Sequence, residues 1–166
     1  MNKFSVIIPA RSGSKRIKDK NLLLFKSKTL IESTFIQSKK IQIYLKNIIL
    51  SSDSQKYLDI LKKNELLIKD LRPKKYALDS TKTEDLIDYL IKKYDGIIAE
   101  NIILLQTTSP LRKVEDIIKC INLFNHHEKN IISGFLNDKK LIINGAIYIF
   151  NIKKFIKNKT LFDNNF

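Results

Sequence analysis

The sequence predicts an α/β domain of three layers, α/β/α, built around a mostly parallel sheet. Two observations predict it. Short, almost wholly apolar runs, headed by residues 4–9 and 102–106, have the composition of strands buried on both faces. Between such runs lie longer segments with apolar residues at helical spacing, such as 30–43 and the set Leu86, Ile87, Leu90 and Ile91. Strand and helix in alternation point to right-handed crossovers, which are compatible with a parallel sheet.

The elements follow in order. The strand at 4–9 gives way to a polar, basic segment at 10–24, punctuated by Gly13, and then to the first helix. A second strand spans 47–51, and Asp53 is placed to cap a helix that turns Leu58 and Leu61 inward. A third strand covers 66–68 before a polar connector at 72–82. The next helix starts at Ser80 or Thr83, with Glu84 and Asp85 near the positive end of its dipole. After the strand at 102–106, Thr107-Thr108-Ser109-Pro110 makes a turn, and a helix with Glu115 and Asp116 in its first turn runs to about Asn125. Three strands at 131–135, 141–143 and 146–150 and a short basic helix from about Lys153 complete a single domain without repeats or linkers. In such sheets ligands sit beyond the carboxyl ends of the strands. The polar segments after Pro9, Ser51, Ile68 and Leu105 are therefore expected to share one rim.

Bulk composition bounds the function. At 166 residues and 43% hydrophobic, the chain is the size of one folded domain, and its longest apolar runs are of strand length. The strand at the chain start leaves no room for a secretory h-region, and the lone Cys120 rules out an internal disulfide; both favour the cytoplasm. The net charge of +14 raises the question of nucleic acid. Only Arg11, Arg16, Arg72 and Arg112 among the 31 cations are arginines, however, and the lysines are scattered. That is a poor match for a groove or phosphate reader. A general attraction for anionic ligands remains.

The densest chemistry lies in the first loop, residues 10–21. It joins a buried strand to the fold and holds Ser12, Ser14, a glycine able to take unusual backbone angles, and the cations Arg11, Lys15, Arg16 and Lys20. Backbone amides of such a turn can cradle phosphate oxygens while Arg11, Arg16 and Lys20 neutralise them. Neither GxxxxGK[ST] nor GxGxxG is present. On charge and position alone, a solvated basic loop and a phosphate site are equally good readings.

Five segments in order resemble the N-acylneuraminate cytidylyltransferases. They are Ile7 to Ile17 with Lys20-Asn21-Leu22, then Ser51-Ser52-Asp53-Ser54, then Arg72-Pro73 through Leu78-Asp79 with Thr83-Glu84-Asp85. The last two are Leu104 to Arg112, with Thr107 where the family carries proline, and Asn144-Gly145-Ala146-Ile147-Tyr148. The resemblance implies a Rossmann-like nucleotidyltransferase sheet and transfer of CMP from CTP to a nonulosonic acid (N-acylneuraminic, legionaminic or pseudaminic), releasing pyrophosphate. It implies Arg11 and Lys20 as catalytic contacts to the CTP phosphates, with Ser12, Gly13 and Ser14 completing the phosphate loop and Asn21 near the nucleotide. Arg72 and Gln106 would hold cytosine or its surroundings, and Asn144 and Gly145 the sugar side. Magnesium and a homodimer are likewise implied.

The sequence also departs from the family. Only residues 136–143 stand where members carry a longer sugar-recognition segment, and the late Asp-x-Asp segment that supplies metal carboxylates is not found, Asp163 being a poor replacement. No metal ligand is therefore assigned, and a nucleotide-binding homologue with impaired catalysis is the alternative. Asp53, Asp79 and Arg112 are read as structural, the first two bracing or capping loops and Arg112 at a helix-start surface. His126 and His127 form a polar helix end without further ligands, and Tyr148 and Phe150 are packing residues on a strand.

Overall fold

A computed structural model describes residues 3–138 and 140–161. Asp163 lies outside the described residues. A six-stranded sheet forms the middle layer. Its strands are β1 (Phe4–Pro9), β4 (Leu45–Ser52), β5 (Leu67–Leu71), β6 (Asn101–Leu104), β7 (Ile131–Asn137) and β8 (Lys140–Asn151), in the order β5-β4-β1-β6-β8-β7. The short strands β2 (Leu24–Phe25) and β3 (Lys28–Thr29) form a separate hairpin. β5, β4, β1 and β6 are mutually parallel, and β8 returns antiparallel to β6.

The alternation of side chains across the strands makes two cores. Val6 and Ile8 of β1 join Ile48, Leu50, Ile103 and Leu105 on one face. That face is covered by α1 (Leu30–Lys39), α2 (Gln55–Asp59) and α4 (Val114–His127) through Ile31, Leu58, Ile117 and Ile121. Ile7 joins Ile49, Ile102 and Leu104 on the other face, under α3 (Thr83–Lys93) and α5 (Ile152–Asn158). These are the three layers and the mostly parallel sheet expected from the sequence.

The chain winds outward from β1 to β4 and β5, then crosses back through α3 to β6 on the opposite side of β1. The winding direction thus reverses between β1 and β6, which opens a crevice at their carboxyl ends.

Several local expectations change. Asp53 does not cap α2; the N-cap is Ser54, and the Asp53 carboxylate turns to Ser12 instead. α3 does start at Thr83, one of the two expected starts, and its first turn is closed by the Asp85 carboxylate accepting the Lys82 N–H at 3.1 Å. The strands expected at 141–143 and 146–150 are one long β8. Its irregularity is absorbed at Gly145, with φ of 65°, and by a register shift between Ile132 and Gly134. There Asn144 Oδ1 accepts from Ser133 Oγ at 2.7 Å and from the Ala146 N–H at 3.0 Å, while Ser133 Oγ accepts the Ile147 N–H at 2.9 Å. Side chains thus replace ladder bonds lost at the bulge. Beyond it β7 and β8 pair only with each other, and Phe135, Leu136, Leu141 and Ile143 are exposed on this projecting arm.

Arg112 is not at the surface. It is buried, donating from Nη1 to Ala146 O at 2.6 Å, from both Nη1 and Nη2 to Gln106 O, and from Nε to Gln37 Oε1 at 3.2 Å. Gln37 answers with a 2.8 Å bond from Nε2 to Arg112 O. One guanidinium therefore ties the end of β6 to β8 and α1, and burial pushes its pKa down to about 10. Replacing Arg112 by Met leaves the Gln106 and Ala146 carbonyls without their charged donor. The expected loss is about 3 kcal/mol of stability, read as a lower urea midpoint at unchanged m-value.

Candidate active site

A cleft of about 240 Å³ opens at the carboxyl ends of β1 and β6, where the topology places it. Pro9, Arg11, Lys20 and Asn21 line it from the first loop, Arg72, Tyr76, Leu78 and Asp79 from the segment after β5, Thr83 and Leu86 from α3, and Gln106, Thr107 and Thr108 from the turn after β6.

The first loop is held from beneath. Its leading amide, on Ala10, donates to Ser51 O at 2.9 Å, extending the β1–β4 ladder. The Asp53 carboxylate then accepts the Ser12 N–H at 2.9 Å on Oδ1 and the Ser12 hydroxyl at 2.8 Å on Oδ2. Burial works to raise the Asp53 pKa, but the two Ser12 bonds outweigh it and hold the carboxyl below its ordinary range. Farther along, Asn21 is buried and donates from Nδ2 to Arg11 O at 2.8 Å, while its Oδ1 accepts from Thr107 Oγ1 at 2.5 Å. The threonine at 107 can make this bond; a proline there could not.

Gly13 does not use its conformational freedom: its φ is not positive, and a Cβ there would meet nothing within 4 Å. The left-handed residue of the loop is Asp19, with φ of 50°, whose carboxylate accepts from the Tyr57 hydroxyl at 2.9 Å. Ser14 contributes its amide to Ser12 O at 2.9 Å, and neither Ser12, Gly13, Ser14, Lys15 nor Arg16 lines the cleft.

Charge in the cleft is unevenly compensated. Arg11 Nη1 meets Asp79 Oδ1 at 2.6 Å, and Lys15 Nζ meets Asp79 Oδ2 at 3.0 Å, so both cations hold the Asp79 carboxyl below its usual range. Asp79 and Asp53 are therefore both bracing groups. Arg72 differs. It is 5% exposed, its guanidinium borders the cleft, and its Nε is buried without a hydrogen-bond partner. Burial lowers its pKa, opposed by the charges of Asp53 and then Asp70.

Gln106 sits opposite, its carbonyl fixed by Arg112. A Cβ at Gly145 would come within 3.0 Å of the Tyr148 hydroxyl and 3.7 Å of Gln106 Nε2, so glycine is needed there for space as well as for its φ. Asn144 lies apart, in a neighbouring groove of about 640 Å³ with Arg112, Lys119 and Ser133; Thr108 borders both cavities. The sequence reading missed Tyr76, Leu86 and Thr107 as wall residues, and Asp70 behind Arg72 altogether. His126 and His127 end α4 far along the chain from these loops, their rings 4.6 Å apart.

Among the described residues the cleft offers a magnesium ion one carboxylate and no preformed cluster of ligands. The carboxylate lining the cleft, Asp79, is taken by Arg11 and Lys15, and among the described residues no three His, Cys, Asp or Glu side chains gather to hold a metal.

The chain is similar to several known proteins. An N-acylneuraminate cytidylyltransferase of Streptococcus agalactiae is 28% identical, with 94% of this chain and 45% of that protein aligned. The alignment runs over 189 positions, more than the 166 residues here, so the relative carries segments that this chain lacks. The chain spans less than half the length of that relative. A CMP-N,N'-diacetyllegionaminic acid synthase of Legionella pneumophila is 26% identical over 94% of this chain and 81% of its own length. The solved structure of a CMP:2-keto-3-deoxy-manno-octonic acid synthetase complexed with CTP superposes with a TM-score of 0.68 at 15% identity, covering 94% of this chain and 78% of that one. At that identity the likeness speaks for the fold alone. Among the described residues no helix is long and apolar enough to cross a membrane. The family model for cytidylyltransferases matches residues 5–158, nearly the whole described chain, and the protein belongs to that family.

Proposed function

We propose that this chain transfers CMP from CTP to a nonulosonic acid of the N-acylneuraminic, legionaminic or pseudaminic type, with release of pyrophosphate. The observation that carries this reading is Arg72. A guanidinium that is largely buried yet lines a cleft is a directional donor to a planar acceptor, and the carbonyl and ring nitrogen of cytosine supply one. Gln106, across the cleft, offers both a donor and an acceptor to the base edge. The names of the relatives support the same substrates.

In this reading Arg11 and Lys20 bind the triphosphate, Ser12, Gly13 and Ser14 shape the loop beneath it, and Asn21 fixes the loop's far end. Asn144 and Gly145 flank the sugar side. The anomeric hydroxyl oxygen attacks the α-phosphorus, the bond to the bridging oxygen breaks, and pyrophosphate leaves with the electron pair while the hydroxyl proton passes to solvent. The cations act by position and charge, stabilising the negative oxygens of the transition state. The resemblance to the family also implies magnesium beside the triphosphate. We read the protein as cytoplasmic, where Cys120, a free and half-buried thiol, stays reduced. We read it also as a homodimer, joined through the apolar arm of β7 and β8.

Pyrophosphate release from CTP, magnesium chloride and N-acetylneuraminic, legionaminic or pseudaminic acid tests the enzyme directly. Release above background with one of them is expected; CTP binding with no release from any would leave a nucleotide-binding protein without turnover. Arg11→Ala is expected to weaken CTP binding about tenfold or more in calorimetry, since a charge-assisted contact is lost. An unchanged Kd would make the loop a solvated basic surface.

The Asp53 brace gives a pH test with a definite sign. A carboxyl depressed in the folded state holds Ser12 at all pH above its ordinary value of about 3.9 and releases it as pH falls through the lower folded value. Amide exchange at Ser12 should therefore still be protected at about pH 4 and lose protection only as pH falls further, whereas Asp53→Ala, which removes both acceptors, should lose it already at neutral pH. Sedimentation velocity showing only monomer would remove the dimer.

A further inference from the structure

Behind the cleft lies a polar cluster that the proposed reaction does not use. Asp70, on β5, is wholly buried. Its Oδ2 accepts from Ser51 Oγ at 2.7 Å, and its Oδ1 accepts from Lys93 Nζ at 2.7 Å, from the Tyr94 hydroxyl at 3.1 Å and from the Tyr89 hydroxyl at 3.4 Å. Lys93 Nζ also donates to the Tyr89 hydroxyl at 2.9 Å. The Lys93 side chain is 39% exposed while Asp70 is wholly buried, so the desolvation of the pair falls on Asp70, and apolar side chains of similar volume would hold α3 against β5 as well without it. A fully connected polar cluster instead fixes geometry.

Two routes lead from it to the cleft. The Tyr89 ring stacks on Tyr76 with centroids 4.5 Å apart and planes 24° from parallel, and Tyr76 lines the cleft. Asp70 and Arg72 are two residues apart in extended chain, and the ladder continues through the Arg72 N–H to Ser52 O at 2.9 Å, so their side chains share a face. Asp70 is thus one of the two carboxylates acting on the buried guanidinium, Asp53 being the other.

We propose that Asp70 is a positioning residue for the base side of the cleft. With Lys93 and Tyr89 it fixes the Tyr76 ring as a wall for the pyrimidine, and it keeps Arg72 turned toward the base. This rests on the CTP reading above. The device acts on the base and not on the phosphates, which separates it from a general structural role.

The test compares CTP with tripolyphosphate, which carries the phosphates without the base, by calorimetry on folded protein. Asp70→Asn and Lys93→Met should weaken CTP about tenfold, the scale of a lost hydrogen bond to a charged group, and leave tripolyphosphate within about twofold. Tyr89→Phe, which keeps the stacked ring, should weaken CTP about threefold. Equal weakening of both ligands, or unchanged CTP binding, overturns the proposal. Should Asp70→Asn fail to fold, the Lys93 and Tyr89 variants decide in the same way. A wild-type protein that binds tripolyphosphate but not CTP would defeat the CTP reading, and the free protein then decides for the device. Arginine side-chain NMR should show the Arg72 Nε–H peak displaced by Lys93→Met while the Arg16 peak stays; an unmoved Arg72 peak overturns it.

Discussion

Everything at the rim depends on β1 being paired in parallel on both sides. Phe4 to Pro9 pair with β4 along one edge and Phe4 to Ile7 with β6 along the other, with Ile7 set between Ile49 and Leu104. Parallel pairing brings the carboxyl ends of all three strands to one side, and the change of winding direction leaves a gap between the first and third. The loops after β1, β4 and β6 must then meet there. Asp53 meets Ser12 because their strands are neighbours in register, Pro9 opposite Ser51. Thr107 meets Asn21 across the other edge.

Given that frame, the cleft's charges have unequal standing. Carboxylates near it are engaged: Asp53 with Ser12, Asp79 with Arg11 and Lys15, Asp70 with Ser51, Lys93 and two tyrosines. Exposed pairs such as Arg11 with Asp79 contribute little to stability, and a strongly charged ligand can replace the carboxylate at small cost. Arg72 cannot escape to water in the same way. Its burial with an unpartnered Nε is unfavourable for the folded chain alone, and such local conflicts are expected where function overrides stability.

The sheet was legible because parallel strands, buried on both faces, are nearly all apolar, so 4–9, 47–51 and 102–106 could be read directly. Strand ends were less so. β5 continues past its apolar start through Lys69 and Asp70 to Leu71, and a buried aspartate there looks like the start of a connector. Its partners Ser51, Tyr89, Lys93 and Tyr94 are distant in sequence and carry no shared pattern. Asp53 misled for a related reason: an aspartate before a helix fits an N-cap, and only the neighbouring strand shows that Ser12 competes for it. Gly13 suggested a left-handed turn that Asp19 makes instead. Arg112 looked like a surface charge because nothing local reveals that Gln106, Ala146 and Gln37 surround it with acceptors. The fold class and the loop's position could be read from local pattern, then, whereas the contacts that orient the site depend on register.

The cleft draws unequally on the chain. All residues lining it come from Pro9 to Thr108, and the Arg112 clamp fixes its far wall to β8. The antiparallel pair of β7 and β8 lies outside that span. Removing residues there leaves the Asp53, Asn21 and Asp70 contacts untouched. What it changes is the neighbouring groove, which Asn144 and Ser133 line, and the arm above it, where Leu136 is 74% exposed. Buried polar contacts thus tie the cleft to the parallel strands, and a change of length at the antiparallel edge would disturb no ladder bond of β1.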